Sequence, residues 1–152
     1  MKAFVDTSAF YALASKTDEA HARAYAIHEG LKRDGVVLMT TNYVLLEAVA
    51  LLQRRHGTAE AGSFGDFVME RVELIWIDAT QHRTAWKLWK ERGRRNLSLV
   101  DCSCFVVMRE LNIRHAFAFD DQFREAGFVL LSEPADRVAE RRAGYRVRTT
   151  RR

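Results

Sequence analysis

The sequence predicts an α/β protein with one domain, in which helices flank both faces of a mainly parallel sheet of four or five strands. Short apolar runs typical of buried strands alternate along the chain with longer segments of helical periodicity. This alternation favours parallel strands joined by right-handed helical crossovers. The chain has 152 residues, of which 48% are hydrophobic and one is proline, and this composition suits a single folded core.

Five strands are predicted from the apolar runs. They cover Lys2–Val5, Val36–Met39, Glu73–Ile77, His115–Phe119 and, as a short last strand, Phe128–Leu131. In an open parallel sheet, ligands bind along the edge formed by the carboxyl ends of the strands. Side chains that directly follow the strands are therefore candidates for function.

Helices are predicted between the strands, most of them preceded by residues that cap helix N-termini. They begin after Asp6-Thr7-Ser8, run from Thr17 or Asp18 through Lys32, from Thr40-Thr41-Asn42 to His56, from Thr58 to about Arg71, from Asp78 past Trp89 and from Leu97 to Met108, and a short helix contains Phe123. The arrangement assigns residues 1–131 to one domain and leaves residues 132–152 as an extension.

Two of the predicted helices are apolar except for one carboxylate. The helix over Leu97–Met108 contains Asp101 in its first turn, and Glu47 is the one polar residue between Tyr43 and Leu52. Burying an ionised carboxylate is unfavourable unless another group compensates its lost hydration. Asp101 also has a local explanation, because Ser98 can cap the helix and Asp101 can return the hydrogen bond.

Two further carboxylates, Asp6 and Asp120, come directly after predicted strands. All four acids should therefore converge on one edge of the sheet, where they would repel one another without a cation. Oxygen ligands without histidine or cysteine select a hard divalent ion, Mg²⁺ or Mn²⁺, and four carboxylates allow one ion or two. Such a site activates water and suits a phosphodiester substrate.

Several polar neighbours have both a functional and a purely structural interpretation. Hydroxyl groups of Thr7 or Ser8 could orient Asp6 or a metal-bound water, and Asn42 or Ser98 could act likewise or simply cap their helices. Asp121 is either a fifth acid or the cap of the short helix. Asp120 is the preferred fourth acid because it directly ends its strand.

Basic residues cluster in two places. Arg94 and Arg95 lie in the loop before the Asp101 helix, where they could hold a phosphate or simply be solvated. The formal net charge of +4 arises entirely from residues 132–152, which contain seven arginines against three acids. This end could lie near a polyanion or only increase solubility.

No targeting or membrane-spanning segment is predicted. The first residues carry a charge at Asp6 and lack the apolar centre of a signal peptide, and no run reaches the ~20 apolar residues that cross a bilayer. A cytoplasmic protein is therefore expected. Cys102 and Cys104 lie on the buried helix in positions that suit neither a disulfide nor a metal knuckle.

The four acidic segments together resemble the motifs of the PIN domain, and most closely the small VapC-like toxins of type II toxin–antitoxin systems. They read Met-Lys-Ala-Phe-Val-Asp-Thr-Ser at the start, Thr-Asn-Tyr-Val-Leu-Leu-Glu at 41–47, Leu-Ser-Leu-Val-Asp-Cys-Ser at 97–103 and Ala-Phe-Asp-Asp-Gln-Phe at 118–123. Each motif alone is weak evidence, whereas four in order are strong. The resemblance covers residues 1 to about 131.

The resemblance implies an endoribonuclease that depends on Mg²⁺ or Mn²⁺. Its acidic cluster would be Asp6, Glu47, Asp101 and Asp120, with the three aspartates as metal ligands. The resemblance also implies a homodimer, an RNA substrate and inhibition by a cognate antitoxin. The sequence departs from the family in its arginine-rich end and in the paired Asp120-Asp121, which leaves the fourth acid ambiguous.

Two other functions are weighed against the nuclease. The domain could bind RNA or a partner protein without turnover. A phosphatase that uses Asp6 as nucleophile is disfavoured, because Ser8 occupies the position where such enzymes carry a second aspartate.

Overall fold

The computed structural model describes residues 1–131, so the predicted extension over residues 132–152 lies outside the described residues. Within residues 1–131 the strands are β1 (Lys2–Val5), β2 (Val37–Thr41), β3 (Glu73–Ile75), β4 (His115–Phe117) and β5 (Val129–Leu130). The helices are α1 (Thr7–Ala14), α2 (His21–Arg33), α3 (Asn42–His56), α4 (Thr58–Arg71), α5 (Ala79–Arg92), α6 (Leu99–Glu110) and α7 (Gln122–Glu125).

The strands form one parallel sheet in the order β3-β2-β1-β4-β5. β1 lies at the centre, where Phe4 is opposite Met39 on one side and Ala116 on the other. Ala3, Phe4 and Val5 are all buried, and successive strand residues point to opposite faces, so helices cover both faces of the sheet. The predicted fold class is confirmed.

Two strands end earlier than predicted because side chains of other elements bind the backbone at those points. The predicted third strand continued to Ile77, but the Ile77 N–H donates to Asn42 Oδ1 at 2.8 Å. The predicted fourth strand continued to Phe119, whose N–H instead donates to Ser8 Oγ at 3.0 Å. Both strands therefore end at these points, and each is followed by a loop at the carboxyl edge of the sheet.

Helix α2 begins at His21, later than the predicted start at Thr17 or Asp18. Asp18 does act as a local acceptor, because its Oδ1 binds the Ala20 N–H at 2.8 Å and its carbonyl accepts from the His21 N–H. These bonds close a turn that precedes the helix. Asp18 therefore binds a backbone N–H group, as a capping residue does, but in this turn and not at the helix N-terminus.

Helix α3 is less buried than its sequence predicts. Val44, Ala48 and Leu52, spaced four residues apart, form its buried face, whereas the side chain of Leu46 is 71% exposed. An apolar sequence around the whole helix therefore does not mean burial on all sides here.

Helix α6 begins and ends two residues later than predicted, at Leu99 and Glu110, and its predicted burial is confirmed. All seven residues from Cys102 to Met108 are buried, and both cysteines are free thiols in the core. Among the residues that the structure describes, no helix is long and apolar enough to cross a bilayer.

Candidate active site at the carboxyl edge of the sheet

Asp6 is delivered to the edge by the central strand. It follows β1 directly, has extended backbone angles and is the N-cap of α1. Its Oδ2 accepts hydrogen bonds from the Ser8 N–H at 3.0 Å and from the Ser8 hydroxyl at 2.6 Å. The residue is only 5% exposed, so this carboxylate is held rigidly in a site with little water.

Ser8 links Asp6 to the loop that carries the fourth acid. While its hydroxyl donates to Asp6, its oxygen accepts from the Phe119 N–H at 3.0 Å. The neighbouring Thr7 hydroxyl oxygen is buried and has no hydrogen-bond partner. The structure thus brings the two predicted hydroxyl residues beside Asp6, with Ser8 in direct contact.

Asp101 lies in the first turn of α6 and forms the reciprocal bond that the sequence predicts. The Ser98 side chain accepts from the Asp101 N–H at 3.0 Å, and Asp101 Oδ2 accepts from the Ser98 N–H at 2.8 Å. Capping uses one oxygen of Asp101, and its Oδ1 takes no part in these bonds. The local and the functional explanations of this acid are therefore compatible.

The structure separates Asp120 from Asp121. Asp120 Oδ1 accepts from the Gln122 N–H at 2.9 Å, and Asp120 lies close enough to Asp101 for its charge to raise the pKa of that acid. The Asp121 side chain is 72% exposed and binds Arg124 at 2.8 Å. Asp121 occupies the N-cap position of α7 but its side chain forms no capping bond, so the alternative in which its carboxylate caps this helix is wrong. Its charge is already neutralised by the adjacent arginine.

The four acids interact electrostatically around the N-terminal half of α6. Burial raises the pKa of Asp6 from 3.8 to about 6, opposed by the Ser8 bonds and reinforced by the charge of Asp101. Burial also raises the pKa of Asp101, and the charges of Asp120 and Glu47 raise it further. Asp101 is therefore the acid that interacts electrostatically with each of the other three.

The donor set fits a hard divalent cation. Within residues 1–131, no group of three or more His, Cys, Asp or Glu side chains has the arrangement of a metal site. Because every acid of the cluster contributes oxygen ligands, a hard divalent cation would offset the unfavourable charge.

Asn42 has a structural task. Its Oδ1 accepts from Ile77, which ties the start of α3 to the exit of β3, while Thr41 Oγ1 accepts from Val44 at 3.2 Å as the cap of α3. The interpretation of Asn42 as a helix cap is therefore wrong, since the residue before it takes that role.

The arginines before α6 do not behave alike. Arg94 forms an ion pair of 2.7 Å with Glu125 on α7, and Arg95 is exposed. Sequence reasoning singled out neither Glu125 nor Gln122. The side-chain oxygen of Gln122 is buried and has no hydrogen-bond partner. Gln122 lies within the motif at 118–123, where attention to the two aspartates passed over it, whereas Glu125 belongs to no motif.

Comparisons with known proteins agree with this architecture. The family model described as PIN domain matches residues 3–129. The 23S rRNA-specific endonuclease VapC20 of Mycobacterium tuberculosis is 36% identical over 129 residues, which are 83% of this chain and 95% of that protein.

Two solved structures extend the likeness to the fold. The crystal structure of M. tuberculosis VapC20, described as a sarcin-ricin loop cleaving toxin, has a TM-score of 0.75 at 35% identity and covers 84% of this chain and 96% of its own. The structure of VapBC-1 from nontypeable Haemophilus influenzae has a TM-score of 0.63 at 13% identity, covering 87% of this chain and 98% of its own. On the match of the family model and the identity to VapC20, the chain belongs to the PIN domain family.

Proposed function

We propose that the chain is an endoribonuclease that uses a divalent metal ion, Mg²⁺ or Mn²⁺, to hydrolyse phosphodiester bonds in RNA. The observation that carries the proposal is the convergence of Asp6, Glu47, Asp101 and Asp120 around α6, at the edge where parallel sheets bind ligands. The identity to a 23S rRNA-specific endonuclease supports the same chemistry and makes 23S rRNA the first substrate to test.

Each acid has a defined part in this proposal. Asp6, Asp101 and Asp120 would hold the metal ion, and Glu47 would complete the acidic cluster from α3. The bound ion would supply an activated water and offset the charge that develops on the phosphate. Ser8, Ser98 and the Gln122 backbone each bind one carboxylate oxygen, so the remaining oxygens keep a fixed direction.

Two partners complete the proposal. The description of VapC20 as a toxin supports a role as the toxin of a toxin–antitoxin pair, restrained by a cognate antitoxin. A homodimer is also proposed, because the rings of Trp86 and Trp89 on α5 lie in contact with their centroids 5.2 Å apart and remain 46% and 36% exposed. Exposed aromatic pairs of this kind are enriched at protein interfaces.

The decisive experiment compares the wild type with Asp101→Asn on purified ribosomes or 23S rRNA, in Mn²⁺, in Mg²⁺ and in EDTA. Asp66→Asn, an exposed acid on α4, is the matched control. Cleavage by the wild type and the control, only with metal and not by Asp101→Asn, would establish the nuclease. RNA binding by folded wild type without cleavage under any condition would instead support the non-catalytic binding module.

A further inference from the structure

We propose that Trp76 stacks on one unpaired base of the RNA, next to the bond that is cut. This inference rests on the proposed function and assigns it a specificity-determining residue outside the acidic cluster. Trp76 directly follows β3 and is 71% exposed, although tryptophan is on average a well-buried residue. A large apolar ring is therefore left open at the edge where parallel sheets bind ligands.

The register of the sheet places Trp76 near Asp6. Thr41 of β2 is paired with Ile75 of β3, and continuing the β1–β2 pairing by two residues beyond its last pair puts Asp6 opposite Thr41 on the other side. Neighbouring strands lie about 4.8 Å apart, so the backbones of Asp6 and Ile75 are about 10 Å apart. A base beside a phosphate at the acids would therefore lie within reach of Trp76, the residue after Ile75.

Helix α3 provides a second link between Trp76 and the acids. The Ile77 N–H donates to Asn42 Oδ1 at 2.8 Å, which ties the residue after Trp76 to the first residue of α3. Glu47 lies five residues further along this helix, a distance of about 8 Å. The loop that carries Trp76 is therefore attached to the element that carries one of the four acids.

Two further hydrogen bonds hold the segment between Trp76 and the first turn of α5. The Tyr43 hydroxyl oxygen and His82 Nδ1 lie 2.7 Å apart, which joins α3 directly to α5. Asp78 Oδ1 accepts from the Gln81 N–H at 2.8 Å at the start of α5. Because the backbone on both sides of Trp76 is already fixed, RNA binding would not have to order this loop.

The surroundings of Trp76 favour a base over a phosphate or an apolar protein surface. The exposed residues that follow, Asp78, Ala79 and Thr80, are acidic, small or polar, so they do not extend the ring into a continuous apolar patch. The carboxylate of Asp78 would also repel a phosphate. A splayed base suits this ring, because every base has a flat π surface that stacks on an aromatic side chain. A base within a duplex is already stacked and paired, so Trp76 would favour loops and single strands.

The test measures binding of a short, fluorescently labelled single-stranded RNA of mixed sequence, by anisotropy in EDTA, so that cleavage does not contribute. Loss of one base stack predicts that Trp76→Ala weakens binding by about 5- to 150-fold. Trp76→Phe keeps an aromatic ring and should restore much of the affinity, whereas Trp76→Leu is apolar without a π surface and should not.

The matched control is Phe67→Ala, which should bind RNA as the wild type does. Phe67 is also an exposed ring, at 49%, but it lies near the end of α4, which leads into β3 at the opposite edge of the sheet. Because Trp76 is exposed, its replacement should leave the fold unchanged, and circular dichroism of each variant would verify this.

Several outcomes would overturn the inference. Wild-type affinity in Trp76→Leu would remove the stacking role, and equal weakening by Trp76→Ala and Phe67→Ala would remove the site. Unchanged RNA binding in Trp76→Ala, combined with a smaller assembly in sedimentation or lost affinity for the antitoxin, would make the ring a protein contact. A wild type that does not bind the RNA would also refute the stacking site.

The same measurements separate this inference from the proposed function. A wild type that binds RNA through Trp76 but does not cleave 23S rRNA in Mn²⁺ would refute the nuclease and leave the stacking site intact. Cleavage by Trp76→Ala at the wild-type rate, with unchanged RNA binding, would leave the nuclease intact and refute the stacking site.

Discussion

Replacing Asp6 by Asn should stabilise the metal-free protein at neutral pH. Burial raises the pKa of Asp6 in the folded protein from 3.8 to about 6, so the folded state favours the protonated acid. Its contribution to stability is therefore complete below pH 3.8 and is lost as the pH rises through about 6. Each pKa unit corresponds to about 1.4 kcal/mol, which makes the loss about 3 kcal/mol above that range.

Asn avoids this loss because it is neutral at every pH and still accepts a hydrogen bond from the Ser8 N–H. We expect Asp6→Asn to raise the free energy of unfolding at pH 7.5 by roughly 1–3 kcal/mol, the lower values reflecting the need to accommodate the amide N–H groups. The wild type should lose stability between pH 4 and pH 7 relative to the variant. Addition of Mn²⁺ should then stabilise the wild type more than the variant.

The assay is urea unfolding in EDTA at several pH values, followed by the same series in Mn²⁺. Asp78→Asn is the matched control. Asp78 also caps a helix, because its Oδ1 accepts a hydrogen bond of 2.8 Å from the Gln81 N–H, but Asp78 is exposed. Its stability should change by less than about 0.5 kcal/mol. A variant at Asp6 that is no more stable than the wild type at pH 7.5, with the same dependence on pH, would refute the reasoning.

Three further results are expected. Ser8→Ala removes the hydroxyl that joins Asp6 to the Phe119 backbone and should lower the rate of RNA cleavage by about 10- to 100-fold. Circular dichroism should show that the variant is still folded. An unchanged cleavage rate would contradict this prediction. Arg94→Glu breaks the ion pair with Glu125 on α7 and should reduce Mn²⁺ binding, measured by thermal shift. The charge exchange Arg94→Glu with Glu125→Arg restores an ion pair and should restore Mn²⁺ binding. If the exchange fails and RNA binding is also weaker, Arg94 is a phosphate ligand instead. Trp86→Glu should convert a dimer to monomer in sedimentation experiments, and an unaltered assembly would exclude that face of α5.

Local signals in the sequence were sufficient for much of the fold and part of the site. Helix α4 has its predicted bounds, and the reciprocal bonds between Ser98 and Asp101 follow from two residues three positions apart. The fold class also followed from local periodicity, since alternating strands and helices admit few arrangements.

The remaining features depend on contacts between distant segments. The bond between Phe119 and Ser8 spans 111 positions, and the bond between Ile77 and Asn42 spans 35. These bonds end strands that apolar composition alone would continue. The ion pair of Arg94 with Glu125 also joins separate segments of the chain, so the sequence of the basic loop alone could not reveal it.

The hydrogen bond between the Ser8 hydroxyl and the Phe119 N–H has a consequence for biosynthesis. The contact joins the first helix to a loop 111 residues later, and β4, which pairs with the central strand β1, begins only at His115. A nascent chain that ends before Phe119 lacks both the fourth acid, Asp120, and the backbone N–H that binds Ser8. The order of synthesis thus delays assembly of the acidic edge until nearly the whole domain has emerged.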